Sequence, residues 1–151
     1  MRKIRILLII LIASISLLQA QTTDQTQSKV LLASSFYRNN DFAKAAPLYL
    51  ELFESSNSSY YFENYVNCLI GMKDFEEAEK ALKKQLKKKK ESIYTIMLGY
   101  IAKEKGDVEK ANSIYDDVLK EMPNNMGLIV STANNFFNRR EYEYADRKSV
   151  V

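Results

Sequence analysis

Apolar residues recur along most of the chain every three or four positions, the spacing of one face of an α-helix. The clearest example covers residues 92–125. Its first helical pattern ends at Gly106, which is free to adopt a positive φ at a helix end. Asp107 is placed to cap a second helix, and Pro123 blocks the continuation of that helix. The apolar positions of the second helix are Val108, Ala111, Ile114, Tyr115, Val118 and Leu119. This segment is therefore predicted to form a helical hairpin.

The second helix of this hairpin begins in the same way as three other segments, each with an alanine three positions after an apolar residue. These alanines are 33, 33 and 34 residues apart, and they are Ala45, Ala78, Ala111 and Ala145. A period of this length is typical of stacked helical repeats, in which no single unit can bury its apolar face. The chain is predicted to divide into repeats at about 26–58, 59–91, 92–125 and 126–145, of which the last is incomplete.

A small residue recurs in each repeat for a steric reason. Two helices approach closely only where one side chain is small, and an aromatic side chain one turn later fills the adjacent gap. The predicted interior of the first two repeats consists of Leu32, Ala33, Phe36, Phe42, Ala45, Tyr49, Leu52, Tyr65, Val66, Leu69, Phe75, Ala78 and Leu82.

The pair Leu98-Gly99, the spacing of Ala111 and Tyr115, and Pro123 resemble the tetratricopeptide repeat family. The similarity extends over residues 26–145, although no repeat has the tryptophan of the family pattern. The resemblance implies an all-α fold, a right-handed superhelical α-solenoid of helix-turn-helix repeats. It also implies a protein–protein interaction scaffold or adaptor that binds a peptide or helix on its concave surface.

In this family the first helix of each repeat lines the concave surface, and the resemblance carries these positions onto the present chain. Tyrosine and asparagine suit peptide capture, because they bury apolar area while bonding to a backbone. The same positions also suit packing against neighbouring repeats, so both interpretations remain open. The candidate partner-binding residues are Ser34, Tyr37, Arg38, Tyr60, Glu63, Asn67, Ile70, Ile93, Ile96, Tyr100, Lys103, Val130, Asn134 and Phe137.

The N-terminus has the pattern of a secretory signal peptide. Basic residues within Arg2–Arg5 precede the apolar run Ile6–Leu18, and Ala20 offers a small residue at a plausible cleavage point. A membrane-spanning helix needs about 20 apolar residues, so an uncleaved anchor is the weaker interpretation. We expect a signal peptide at 1–20, a short linker at 21–25, and a mature protein in the periplasm or on the surface of a bacterium.

Removing the first twenty residues changes the charge of the chain. The sequence has 22 basic and 19 acidic residues, and the predicted signal peptide contains three of the basic ones. The mature chain is then formally neutral, so we expect no nucleic-acid partner and no membrane span. The lysine-rich segment Lys83–Lys90 follows the acidic start of its helix, as the helix dipole favours. Binding of an anionic partner by this segment remains an alternative.

Catalysis has little support in the sequence. The chain contains no histidine, the commonest general base. It has one cysteine, Cys68, which cannot by itself supply the several ligands of a cysteine and histidine metal site. Cys68 is predicted to be a core residue, and the recurring Asp41, Asp74 and Asp107 are interpreted as helix caps. We expect no catalytic residue, no metal site, no cofactor and no enzymatic activity.

The last residues break the repeat pattern, since the fourth repeat stops early in its second helix. The segment Asp146–Val151 is what a common short-read sequencing adapter, GATCGGAAGAGCGTCGTGTAG, encodes before its stop codon. We therefore interpret residues 146–151 as a non-native or truncated tail, and other codons at that position would contradict the adapter hypothesis.

The scaffold or adaptor function has one alternative. The chain is then the N-terminal docking or sensory region of a longer enzyme or receptor whose active domain is missing.

Overall fold

The computed structural model describes residues 25–121, and all regular secondary structure in that range is α-helical. The first helix, α1, occupies residues 25–38. It is followed by α2 (Phe42–Ser56), α3 (Ser59–Gly71), α4 (Phe75–Leu86), α5 (Ser92–Glu104) and α6 (Val108–Glu121). The prediction of an all-α fold, built from helical repeats like those of the tetratricopeptide family, is confirmed. No helix between residues 25 and 121 is both long enough and apolar enough to cross a membrane.

The turns that follow α1, α3 and α5 share one backbone conformation. Asn40, Lys73 and Gly106 have positive φ angles of 58°, 61° and 89°. After Asn40 and Gly106, the next residue is an aspartate whose N–H donates to the carbonyl five residues earlier, at 2.9 Å in both cases. This is the Schellman arrangement that closes a helix C-terminus. The prediction for Gly106 is confirmed, and the backbone repeats at the interval of the sequence pattern.

Two of the three predicted aspartate caps form. Asp74 Oδ1 accepts the N–H of Glu77 at 3.3 Å, and Asp107 Oδ1 accepts the N–H of Lys110 at 3.1 Å.

The predicted cap at Asp41 is wrong, because its side chain makes no capping bond to α2. Asp41 Oδ2 instead accepts a bond from Lys44 Nζ at 2.6 Å. The ammonium of Lys44 also lies 5.4 Å from the centre of the Phe36 ring. This cation–π contact helps to hold the Lys44 side chain beside the turn. Ala102 stands at the equivalent position before Asp107 and offers no such ring.

The described helices form two compact units, with α1 to α3 in the first and α4 to α6 in the second. The core of the first unit contains Ala33, Ala45, Ala46, Tyr49, Leu52 and Cys68. Burial raises the pKa of the Cys68 thiol to about 12, so this thiol stays protonated at neutral pH. The prediction that Cys68 is a core residue is confirmed.

In the second unit, α5 and α6 pack as an antiparallel hairpin around one close contact. A Cβ atom added to Gly99 would lie 2.2 Å from Cε1 of Tyr115, so only glycine fits beneath that ring. Ala111 and Tyr115 are fully buried in the same cluster as Ile96, Ala102, Val118 and Leu119. The predicted close approach of the two helices at small residues is thus confirmed here.

A carboxylate connects α4 to the turn between α5 and α6. Glu79 accepts one bond from Lys105 Nζ and one from Lys83 Nζ, each at 3.0 Å. The hydrogen bonds from Lys105 and Lys83, in that order, hold the pKa of Glu79 below its usual value. Because Lys105 lies in a different element from Glu79, this ion pair contributes to the tertiary packing of the second unit.

Two residues predicted to be interior are exposed. Leu32 is 48% exposed and Val108 is 51% exposed. Ala33 occupies the close helix contact in α1, so the neighbouring Leu32 points elsewhere. Val108 is the first residue of α6 and precedes the part of that helix that packs on α5.

Several sequence predictions concern residues outside the described range. These are the signal peptide at 1–20, the linker residues 21–24, Pro123, the repeat at 126–145 and the tail at 146–151.

Replacing Gly99 tests the close contact. We expect Gly99→Ala to lower the free energy of unfolding by about 1–3 kcal/mol, because the added methyl group collides with the Tyr115 ring. The intrinsic helix preference of alanine alone would raise it by about 1 kcal/mol. Urea denaturation followed by circular dichroism measures the difference. The control is Asn112→Ala at an exposed position of α6, and equal or greater stability of Gly99→Ala would contradict the prediction.

Replacing Glu79 tests the ion pair. A lowered pKa in the folded state stabilises the protein above the pKa of the unfolded carboxyl, and this stabilisation disappears as the pH falls through the folded pKa. We expect Glu79→Gln to cost about 0.5–1 kcal/mol at pH 7, because the site is partly solvent-screened. The cost should vanish in acid. Urea denaturation at both pH values measures it, with the exposed Glu54→Gln as control. A cost that is independent of pH would contradict the assignment.

Candidate partner-binding surface

Two of the predicted lining residues, Tyr37 on α1 and Tyr60 on α3, are connected by a row of aromatic rings. We call this the aromatic row; in order of contact it consists of Phe42, Tyr37, Tyr49, Tyr61 and Tyr60. The successive ring centroids are 5.6, 6.1, 6.5 and 5.4 Å apart. These separations are favourable for aromatic pairs, and three of the four contacts are edge-on or nearly so. The first unit therefore brings residues from three helices into one array.

The middle of the aromatic row is anchored in the core. Tyr49 lies four residues after Ala45 on α2 and is 2% exposed. Its hydroxyl lies 3.5 Å from Ser34 Oγ. Burial raises the pKa of Tyr49, and the bond with Ser34 acts in the opposite direction. Ser34, predicted to line the surface, thus lies half-buried beside the anchoring ring and supports it.

The outer end of the aromatic row is accessible to a partner. Tyr60 is 58% exposed, whereas Tyr61 beside it is half-buried. The helical spacing places Glu63, Asn64 and Asn67 on the same side of α3 as Tyr60. We call these three residues the polar stripe. They combine a carboxylate and two amides, which can accept from and donate to a peptide backbone.

The opposite side of α3 is fixed by packing against α2. The Phe53 and Phe62 rings are 5.0 Å apart, and Phe62 also contacts Tyr65 at 6.4 Å. Phe62 and Val66 are buried. Since this side of α3 faces the core, the rotation of α3 that presents Tyr60 to solvent is determined by the same contacts.

Other predicted surface residues are distributed differently. Arg38 is exposed at the end of α1, and Ile70 is half-buried on α3. In the second unit Tyr100 is half-buried and Lys103 is exposed, one turn apart on α5. A single groove that includes both units stays a prediction, and Val130, Asn134 and Phe137 lie outside the described residues.

The prediction that Ile93 and Ile96 line the surface is wrong. Both are buried, at 9% and 0% exposure. Ile96 packs in the α5–α6 cluster beside Ala111 and Tyr115. Burial of an apolar side chain against α6 lowers the free energy of the folded state more than its exposure in a groove would.

Two residues of this surface were missed from the sequence. Tyr61 links the buried Tyr49 to the exposed Tyr60, and Asn64 donates from its side-chain amide to the carbonyl of Tyr60 at 2.8 Å. The density of tyrosine and asparagine between residues 60 and 67 was a signal for both. In the part of the chain that the structure describes, no group of three or more acidic, cysteine or histidine side chains is placed to hold a metal ion.

A family model of the tetratricopeptide repeat matches residues 96–125, a range that includes most of the α5–α6 hairpin with its Gly99–Tyr115 contact. No curated protein matches the chain. Repeats of this kind generally bind proteins or peptides. The match identifies a repeat of the tetratricopeptide type at residues 96–125, and together with the all-helical fold it supports a protein–protein interaction scaffold in general.

Proposed function

We propose that the chain is a scaffold or adaptor that binds a peptide or helix of a partner protein through the aromatic row and the polar stripe. The observation that carries this proposal is the exposed Tyr60 ring at the end of a row anchored in the core. A large side chain held in this way loses little conformational freedom on binding, so more of its contact energy appears as affinity. Tyrosine is also one of the residues most often dominant in interfaces.

The neighbouring groups suggest how a peptide is held. The Tyr60 ring offers an apolar face to a side chain of the partner. The amides of the polar stripe can bond to the partner's backbone, which gives binding without a fixed sequence requirement. We place this surface on the concave face that the family uses.

A binding role fits the fold better than a catalytic one. Helical repeats of the tetratricopeptide type are typically non-catalytic scaffolds. Cys68, the chain's one cysteine, lies in the core of the first unit with a raised pKa. The surface described above therefore supports recognition rather than bond chemistry.

Substituting Tyr60 tests the proposal. Peptides selected from a displayed random library against the full chain provide ligands, and fluorescence anisotropy gives their Kd. We expect Tyr60→Ala to weaken binding about tenfold or more, because the anchoring ring is lost. Tyr60→Phe keeps the ring and should retain most of the affinity. Asn67→Ala should cost less than Tyr60→Ala.

The matched control is Val108→Ala, an apolar truncation at a position of α6 with similar exposure. It should leave the Kd unchanged. Circular dichroism checks that each variant is folded. Unchanged affinity in Tyr60→Ala and Asn67→Ala, for every selected peptide, would remove this surface from consideration.

We also propose that the protein acts outside the cytoplasm, in the periplasm or on the cell surface of a bacterium. The support is the sequence pattern of residues 1–20. When the full chain is expressed in a bacterium, N-terminal sequencing of the exported protein should begin at Gln21. A mature protein that starts at Met1 in the cytoplasm would contradict export.

A further inference from the structure

The C-terminal end of α4 and the turn after it contain more lysines than form ion pairs with nearby acidic side chains. Within the described residues, Lys80 pairs with Glu77 at 2.9 Å, Lys83 pairs with Glu79 at 3.0 Å, and Lys89 pairs with Glu91. Between residues 80 and 90, the other four lysines form no ion pair with a described residue. We call these four the lysine patch: Lys84, Lys87, Lys88 and Lys90.

The helix dipole explains only part of this segment. Glu76 and Glu77 lie in the first turn of α4, and Lys83 and Lys84 lie in the last, as the dipole favours. The effect falls off beyond the last turn, and Lys88 and Lys90 follow the end of the helix at Leu86. Like charges one turn apart repel each other and destabilise a helix. The lysine patch is therefore not explained by the stability of α4.

The geometry of the lysine patch suits an extended anionic ligand. All four side chains are exposed. Lys84 and Lys87 border a surface groove of about 480 Å³, whose described lining also includes Glu76, Glu79, Lys80 and Lys83. Glu79 is bonded to Lys83 and Lys105, so its charge is already compensated. Lys84 and Lys87 are three residues apart at the C-terminal end of α4, so their ammonium groups lie on the same side of that helix.

We propose that the lysine patch binds an acidic segment of a partner protein. This contact is separate from the aromatic row and does not depend on the function proposed for it. The ligand is identified by its chemistry, a run of carboxylates that the four ammonium groups attract.

The composition of the segment favours an acidic peptide over the other polyanions. It contains lysine and no arginine between residues 83 and 90, whereas arginine provides the planar fork that fits phosphate. It has no aromatic residue on which a base can stack. The large apolar side chains that are exposed in the described range lie elsewhere, at Leu31, Leu32, Tyr60, Met72 and Val108. An amphipathic membrane anchor would need such side chains beside the charges.

The test uses the full chain and fluorescein-labelled decaglutamate. We expect the triple variant Lys84→Gln, Lys87→Gln and Lys88→Gln to weaken binding about tenfold or more. Added sodium chloride should weaken binding to the unmodified chain and have a smaller effect on the variant, because fewer charges remain to be screened. The matched control is Lys44→Gln, Lys110→Gln and Lys120→Gln, which removes the same charge from exposed positions elsewhere and should leave the Kd unchanged.

Other outcomes overturn the proposal. Equal loss in the two triple variants would show that net charge alone attracts the probe. Tighter binding of decathymidylate than of decaglutamate would indicate a nucleic-acid site, and loss of vesicle binding in the patch variant, with phosphatidylglycerol vesicles, would indicate a lipid site. No measurable binding of decaglutamate also overturns it. Tyr60→Ala should bind decaglutamate normally, which separates failure of this proposal from failure of the aromatic row.

Discussion

The structure depends on how closely two helices can approach, and small residues set that distance. At Gly99 the backbone of α5 lies directly beneath the Tyr115 ring, with no space for a methyl group. Gly71 holds the same relation to the Phe42 ring, where an added Cβ would lie 2.5 Å away. Ala45, Ala78 and Ala111 are fully buried at the repeating position. If these approaches were wider, the apolar faces of the helices would be separated by voids, and their dispersion energy would be lost.

The same packing rule produces the candidate surface. An aromatic ring fills the space beside a small residue, and in the first unit the ring of Tyr49 extends toward α1 and α3. Further rings continue from it in contact until Tyr60 reaches solvent. The orientation of Tyr60 is therefore a consequence of core packing rather than of a flexible loop. A binding residue built in this way is ordered before its partner arrives, which reduces the entropic cost of association.

The repeating features were predictable because they are local. A turn with positive φ, an aspartate after it and an alanine three residues into the helix are each determined by residues close in sequence. The predictions were wrong where a residue's contacts depend on a side chain distant in sequence or on a competing partner. Asp41 has the sequence of a cap, yet Lys44, held near Phe36, takes its carboxylate. Ile96 has the register of a lining residue, yet Ala111 and Tyr115 on α6 enclose it. Tyr61 gained its role only from a contact with a ring on another helix.

The two proposed surfaces use different physical interactions, and this difference has a functional consequence. In the proposed function, the aromatic row binds by burying apolar area, and salt does not weaken and can strengthen such burial. The lysine patch attracts acidic groups of a partner before contact is made. At physiological ionic strength, screening limits the range of this electrostatic attraction to about 8 Å. Charges of this kind mainly accelerate encounter, whereas a buried aromatic anchor mainly slows dissociation. Under the two proposals, the lysine patch acts mainly on the association rate of its partner, and the aromatic row mainly on the dissociation rate of the bound peptide.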